Sequence, residues 1–155
     1  MGQKDVAIAI GDNAGANNQG SQTVALGQYA GRINQGNTSI AIGQNAGANG
    51  QANLSVNGAI AIGTSAGEQL QGNATVAIGI FAGYASQGAE SIAIGNRAGV
   101  TNQHTNTVIF NATGATLDST QANSLFIKPI RDVTGNAAFS VQLYYNPTTG
   151  EIGYK

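Results

Sequence analysis

The sequence predicts an all-β protein built as a parallel β-roll, or solenoid, of about six 16-residue coils, and three observations carry that expectation. A [Val/Ile]-Ala-[Ile/Leu]-Gly string occurs six times, each time followed by Ala-Gly three residues further on. The first glycines of these units, Gly11, Gly27, Gly43, Gly63, Gly79 and Gly95, stand 16 residues apart, except between Gly43 and Gly63, where the interval is 20. Only 8% of the residues are charged and 6% aromatic, 23 are glycine, and the polar remainder is mostly Asn, Gln, Ser and Thr. A repeat this short is one winding of chain that cannot bury its apolar side unless neighbours stack on it. The amide- and hydroxyl-rich palette suits stacked strands and turns, whereas a disordered chain carries more charge or proline, and Pro occurs here twice.

Each unit divides into the same parts. Its strand is Val24-Ala25-Leu26 or the equivalent Ile40-Ala41-Ile42, Ile60-Ala61-Ile62, Val76-Ala77-Ile78 or Ile92-Ala93-Ile94, in which a large branched residue alternates with alanine. Period-two alternation marks a strand, and with both sides apolar both should be covered. The Val/Ile/Leu side is expected to fill the interior of the coil, and the alanine side to meet another backbone that approaches closely. The glycine after the strand lets the chain turn, and the second glycine, four residues on (Gly15, Gly31, Gly47, Gly67, Gly83, Gly99), lets it turn again. Eight residues after each first glycine stands a glutamine: Gln19, Gln35, Gln51, Gln71, Gln87 and Gln103. Stacked about 4.8 Å apart, these side chains are expected to form a structural amide ladder. Thr23, Ser39, Thr75, Ser91 and Thr107 precede strands and suit a strand edge or turn. Recurrence in every unit argues against catalysis at the glutamines or threonines, because an active site is singular. With few large side chains to bury per coil, a lone thin roll is marginal against the entropy of ordering its backbone. A symmetric oligomer burying the alanine sides is therefore expected.

From about residue 106 the pattern changes, and six of the nine aromatics, Phe110, Phe126, Phe139, Tyr144, Tyr145 and Tyr154, lie beyond that point. Residues 1–111 are assigned to the repeat roll and 112–155 to a C-terminal capping segment. Asn111-Ala112-Thr113-Gly114 reads as the degenerate start of a seventh coil. Residues 125–131 read as a strand in which Pro129 implies an edge or a bend. Residues 139–145 and 151–154 read as a hairpin across Asn146-Pro147-Thr148-Thr149-Gly150. A solenoid terminus requires such a cap. At the other end a regular coil starts at Val6 with nothing to cover its edge, and an open edge invites pairing with a further copy, head to tail.

The strings Thr38-Ser39-Ile40-Ala41-Ile42-Gly43 and Glu90-Ser91-Ile92-Ala93-Ile94-Gly95 resemble the Asn-Ser-Val-Ala-Ile-Gly repeat of the YadA-like head domain of trimeric autotransporter adhesins, over residues 5 to about 111. The resemblance implies a left-handed roll, three chains side by side, displayed on a surface fibre. The second half of the unit departs from that family's alternating alanines and reads Ala-Gly followed by Gln. The Phe126-Ile127-Lys128-Pro129-Ile130-Arg131 string and the segment from Leu143 to Ile152 are similar to those of fibre proteins of phages and large viruses.

Composition excludes several functions. A net charge of -1 gives no electrostatic basis for binding nucleic acid or an anionic membrane surface. Without cysteine there are no disulfides or thiolate metal sites. No apolar run approaches the roughly 20 residues of a membrane span, and Met1 to Lys4 are too few and too polar for a signal peptide. His104 is the only histidine, and the acidic residues are scattered. Asp12 and Asp118 stand in no calcium-loop pattern, and no phosphate-binding loop or triad motif occurs. No catalytic, cofactor-binding or metal residues are expected, and the chain is read as not an enzyme. The sequons at Asn37, Asn53, Asn73 and Asn111 are what so Asn-, Ser- and Thr-rich a chain produces by chance.

The positions that vary at constant phase are better guides to contact. Tyr29, Arg32, Ile80, Phe81, Tyr84 and Arg97 lie one, two or five residues after a first glycine, where they face either a neighbouring chain of the oligomer or an external partner. The expected role is a homotrimeric fibre module, extracellular, at a cell surface or on a virion. It serves as a rigid spacer or tip presenting outer-turn residues to a receptor or glycan. The alternative is a filament subunit that polymerises head to tail.

Overall fold

The computed structural model describes residues 6–51, 58–132 and 142–154. Among these, the secondary structure is strands and turns with no helix. Eight short strands stack in parallel: β1 (Ile8–Ile10), β2 (Val24–Leu26), β3 (Ile40–Ile42), β5 (Ile60–Ile62), β7 (Val76–Ile78), β8 (Ile92–Ile94), β9 (Val108–Asn111) and β10 (Leu125–Lys128). Like residues sit over like, with Ala25 paired to Ala41, Ala41 to Ala61 and Ala61 to Ala77. A second, thinner wall runs through β4 (Asn49–Gln51), β6 (Gln69–Gln71) and single bridges such as Asn17 to Ile33 and Ala85 to Thr101. The fold is a parallel β-solenoid, as the period predicts.

The chain closes each winding by bending at left-handed residues. In the coil that starts at Gly27, φ is +128° at Gly27, +59° at Tyr29, +52° at Gly31, +54° at Asn34 and +52° at Thr38. Backbone hydrogen bonds then run from coil to coil, as from Gly43 N–H to the Leu26 carbonyl and from Gly63 N–H to the Ile42 carbonyl, both 2.8 Å. The first glycines stack directly, so a Cβ on Gly43 would lie 2.7 Å from the carbonyl oxygen of Gly63. Glycine at this position answers both a φ that other residues avoid and an approach that leaves no room for a side chain.

The sidedness expected of the strands is overturned. The alanines point inward: Ala25, Ala41, Ala61, Ala77 and Ala93 are fully buried, with Ala30, Ala46, Ala66, Ala82 and Ala98 facing them in one continuous core. The branched residues point outward, where Leu26 keeps 42% of its surface exposed and Ile78 36%. The reason is width. Tight left-handed bends at five residues of so short a coil bring its walls too close for anything larger than alanine across from a glutamine. An oligomer sealed through its alanine sides is thereby ruled out, since those sides are already interior.

The four-residue insertion leaves the stack undisturbed. Gln51 pairs with Gln71 and Ile60 with Val76, so the extra length falls between Gln51 and Ile60, largely on residues 52–57, outside the described residues. At the far end the parallel sheet continues past residue 111, with Leu125 paired to Val108 and Phe126 to Ile109. The seventh coil read from Asn111-Ala112-Thr113-Gly114 is thus completed, and Ala98 bridges to Leu117. Here the bore widens: the alanine of the strand centre gives way to buried Ile109 and then to Phe126, and Leu117 joins the core. The strand ends at Lys128, just before Pro129. The hairpin is β11 (Leu143–Tyr145) paired antiparallel with β12 (Ile152–Tyr154), a two-stranded sheet of its own. The expected strand start at Phe139 lies outside the described residues.

The inward alanines make a direct prediction. Ala61→Leu should lower stability by about 1–3 kcal/mol through overpacking, read as an earlier midpoint in urea or thermal unfolding. Thr64→Ser, on an exposed turn of the same coil, should stay within about 0.5 kcal/mol of the parent.

Candidate functional site

Three sets of residues recur or cluster in ways that could carry function: the glutamine column, the outward apolar face and the outer-turn aromatics. Gln19, Gln35, Gln71, Gln87 and Gln103 are buried to 3% exposure or less. The side chain of Gln51 lies outside those described. Each amide crosses the bore and donates from Nε2 to a strand carbonyl of its own coil. Gln19 reaches Ile8 at 3.1 Å, Gln35 Val24 and Gln71 Ile60 at 2.9 Å, and Gln87 Val76 and Gln103 Ile92 at 3.0 Å. Among the described residues one amide-to-amide rung is present, from Gln71 Nε2 to Gln87 Oε1 at 3.2 Å. The glutamines therefore brace individual coils more than they link successive ones. Longer runs of stacked polar side chains form on the outer turns, where Gln44 donates to Gln28 at 3.1 Å and Asn18 to Asn34 at 3.1 Å.

The brace explains the second glycine. A Cβ on Gly15, Gly31 or Gly67 would lie 2.5 Å from Oε1 of Gln19, Gln35 or Gln71 respectively. The Oε1 atoms of Gln19, Gln35, Gln71 and Gln103 accept no N–H or O–H hydrogen bond and rest instead against the glycine backbone, a place for weak Cα–H···O contacts. The hydroxyls before the strands are interior too. Thr23 donates to the Gly20 carbonyl at 3.1 Å and Thr75 to that of Gly72 at 3.0 Å, closing the last bend before the strand. Glutamine, glycine and threonine are accounted for by the winding itself.

The outward apolar face is the largest feature that the winding leaves unexplained. Each of the eight stacked strands places two large apolar residues on it, in one row through Ile8, Val24, Ile40, Ile60, Val76, Ile92, Val108 and Leu125 and another through Ile10, Leu26, Ile42, Ile62, Ile78, Ile94, Phe110 and Ile127. Ile10 is 61% exposed, and Phe110 and Ile127 about as exposed as Leu26. Sequence reading missed this face by placing the same residues inside.

The outer-turn candidates fall into two separate groups. In the second coil the Arg32 guanidinium lies 5.5 Å from the Tyr29 ring centroid, and Nη2 donates to Asn49 Oδ1 at 2.9 Å. Both residues are half-buried and engaged with each other, although Arg32 Nε has no hydrogen-bond partner. Two coils are joined in the other group: Phe81 and Tyr84 pack edge to face with centroids 5.6 Å apart, and Arg97 of the next coil lines the same shallow depression of about 290 Å³. Val100 and Thr116 complete it. Val100 was legible as the counterpart of Tyr84 one repeat on, but Thr116 lies where the repeat has lost its spacing. Exposed Ile80 does not line the depression.

His104 is exposed and its Nδ1 lies 2.8 Å from Ser119 Oγ, which also accepts from the His104 backbone N–H at 2.8 Å, a tie between coils six and seven. Asp118 accepts from Thr101 N–H at 3.0 Å in the same way. Asn111 is buried, its amide donating to the carbonyls of Asn96 and Ala115. Among the described residues no three His, Cys, Asp or Glu side chains come together, and no helix is long and apolar enough to cross a membrane. No family model matches the chain, no curated protein matches it, and no solved structure matches its fold.

The brace can be measured by a double-mutant cycle. Gly31→Ala should destabilise the protein, and part of that cost should vanish when Gln35→Ala is also present, giving a coupling of about 0.5–3 kcal/mol in chemical unfolding.

Proposed function

We propose that the chain is a structural module of a homotrimeric fibre, extracellular or on a virion, in which three rolls stand side by side as a rigid spacer or tip and present their outer turns to a surface. The observation that carries this reading is the outward apolar face. Two uninterrupted rows of Val, Ile, Leu and Phe run the length of the roll, and a sheet face of that composition is favourable only when water is excluded from it. A second copy is the natural cover, because a straight ladder of like residues offers the same shape and chemistry at every coil and matches another such ladder. Copies whose faces turn towards one axis close with point symmetry. The resemblance of Ser39-Ile40-Ala41-Ile42-Gly43 to the head repeats of trimeric adhesins supports three. Rigidity follows from hydrogen bonds that run coil to coil in the direction of the stack.

Two features count against direct end-to-end polymerisation. The first coil has alanine at its strand centre, Ala9, whereas the last has Phe126, so the two ends differ in bore. The last strand also ends against Pro129, which has no N–H to donate, beside exposed Lys128, features that blunt a sheet edge.

Sedimentation of the purified chain should give a particle of three times 15.5 kDa. Ile62→Lys together with Ile78→Lys, both outward, should shift it to the monomer mass and lower its unfolding temperature. A monomeric parent would overturn the reading.

A further inference from the structure

We propose that Phe81, Tyr84 and Arg97 form a binding site for a carboxylate-bearing sugar, of the uronic acid type, on the outer turns of the fifth and sixth coils. The proposal rests on the reading above that outer turns carry the contacts, and it names the ligand chemistry for one of them.

The first ground is that the winding does not need these residues. The backbone position of Phe81 and Arg97 is left-handed, with φ of +56° and +59°; Asn13, Asn45 and Ser65 fill it in three of the other coils and Tyr29 in the second. The position of Tyr84 is filled by Ala16 and Ala48 in two coils and by Arg32, Glu68 and Val100 in the others, so the winding is indifferent to its side chain. A Phe and an Arg at this position carry a backbone cost that Asn would not.

The second ground is the state of the cation. Arg32, on the same side of the roll, stacks on Tyr29 and binds Asn49. Arg97 is exposed, and among the described residues its guanidinium has no hydrogen bond, ion pair or ring contact. It stands beside two half-buried aromatic rings that share its depression. A free planar fork of N–H donors next to aromatic surface is complementary to a ligand with a carboxylate at one end and a flat apolar face at the other.

The third ground separates a sugar from a peptide. A peptide strand would need unpaired backbone groups to add to, but here the backbone is spent on neighbouring coils: Phe81 N–H donates to Thr64, Arg97 N–H to Ile80, and Ala85 N–H to Val100. What remains is side-chain surface in a depression of about 290 Å³, small for a drug-sized ligand and suited to a single ring. A pyranose lays its C–H face on Tyr84 and turns its carboxylate to Arg97, with the Thr116 hydroxyl on the far rim for a ring hydroxyl.

The test is an NMR titration of the full chain with tetragalacturonate, its methyl ester and tetraglutamate, alongside sedimentation of the same samples. Tetragalacturonate should shift the Arg97 side-chain and Tyr84 ring signals with saturation, and the methyl ester should bind about tenfold or more weakly, the loss expected for one charge-assisted contact. Arg97→Asn and Tyr84→Ala, each installing the residue that other coils already carry, should weaken binding to a similar degree while leaving the remaining spectrum in place. No saturable shift, equal binding of the ester or of tetraglutamate, or full binding by Arg97→Asn would each overturn the site. Sedimentation keeps the two readings apart: a trimer that binds no uronate loses the site alone, and a monomer that binds it keeps the site and loses the trimer.

Discussion

The bore of the coil governs everything else in this molecule. Sixteen residues bent at five left-handed positions enclose a channel only wide enough for alanine facing a glutamine amide. Three consequences follow from that one dimension. Branched side chains are expelled to the outside of the sheet, glycine is required wherever a glutamine oxygen or a neighbouring coil presses on the backbone, and the interior must be held by polar bonds because alanine buries little apolar area. The glutamine serves that last need with a long, flat side chain that spans the channel and donates to the opposite wall. A hydrophobic residue of the same length would fill the space but give up the hydrogen bond that ties the two walls together.

The winding was legible in the sequence because period is a property of backbone, and the glycines at fixed spacing report backbone directly. Strand positions, turn positions, the glutamine phase and the degenerate seventh coil all follow from counting. Sidedness was not legible. Val24-Ala25-Leu26 says that alternate residues face opposite ways but not which way is in, and the usual preference for burying the larger side chain points to the wrong face. The missing information was the channel width, which depends on left-handed φ at non-glycine residues such as Tyr29 and Thr38 that no residue preference announces. For the outer turns, the sequence marked Phe81, Tyr84 and Arg97 as departures from the repeat, but only the fold brings Arg97 of one coil beside the ring pair of the coil before. Thr116 escaped notice because the spacing changes between Ala98 and Leu117.

The change of core at the C-terminal end has its own logic. A channel lined by alanine ends in a hole unless something larger closes it, and Ile109, Leu117 and Phe126 supply that volume in the last two windings. Asn111, standing where the repeat has a first glycine, is held by the carbonyls of Asn96 and Ala115 and sets the wider turn that makes room for them. The closure is thus built within the roll. The hairpin from Leu143 to Tyr154 adds exposed aromatic surface as a separate two-stranded unit.

The longer third interval shows what kind of scaffold this is. Ile40 and Ile60 are in register although 20 residues separate them, just as Val24 and Ile40 are at 16. Pitch is set where the strands and the glutamines pair, and both pairings stay in register across the longer interval. Such a rod can acquire side branches by simple gene insertion in such an interval, one per storey, and diversify what it displays without ever renegotiating how it stands.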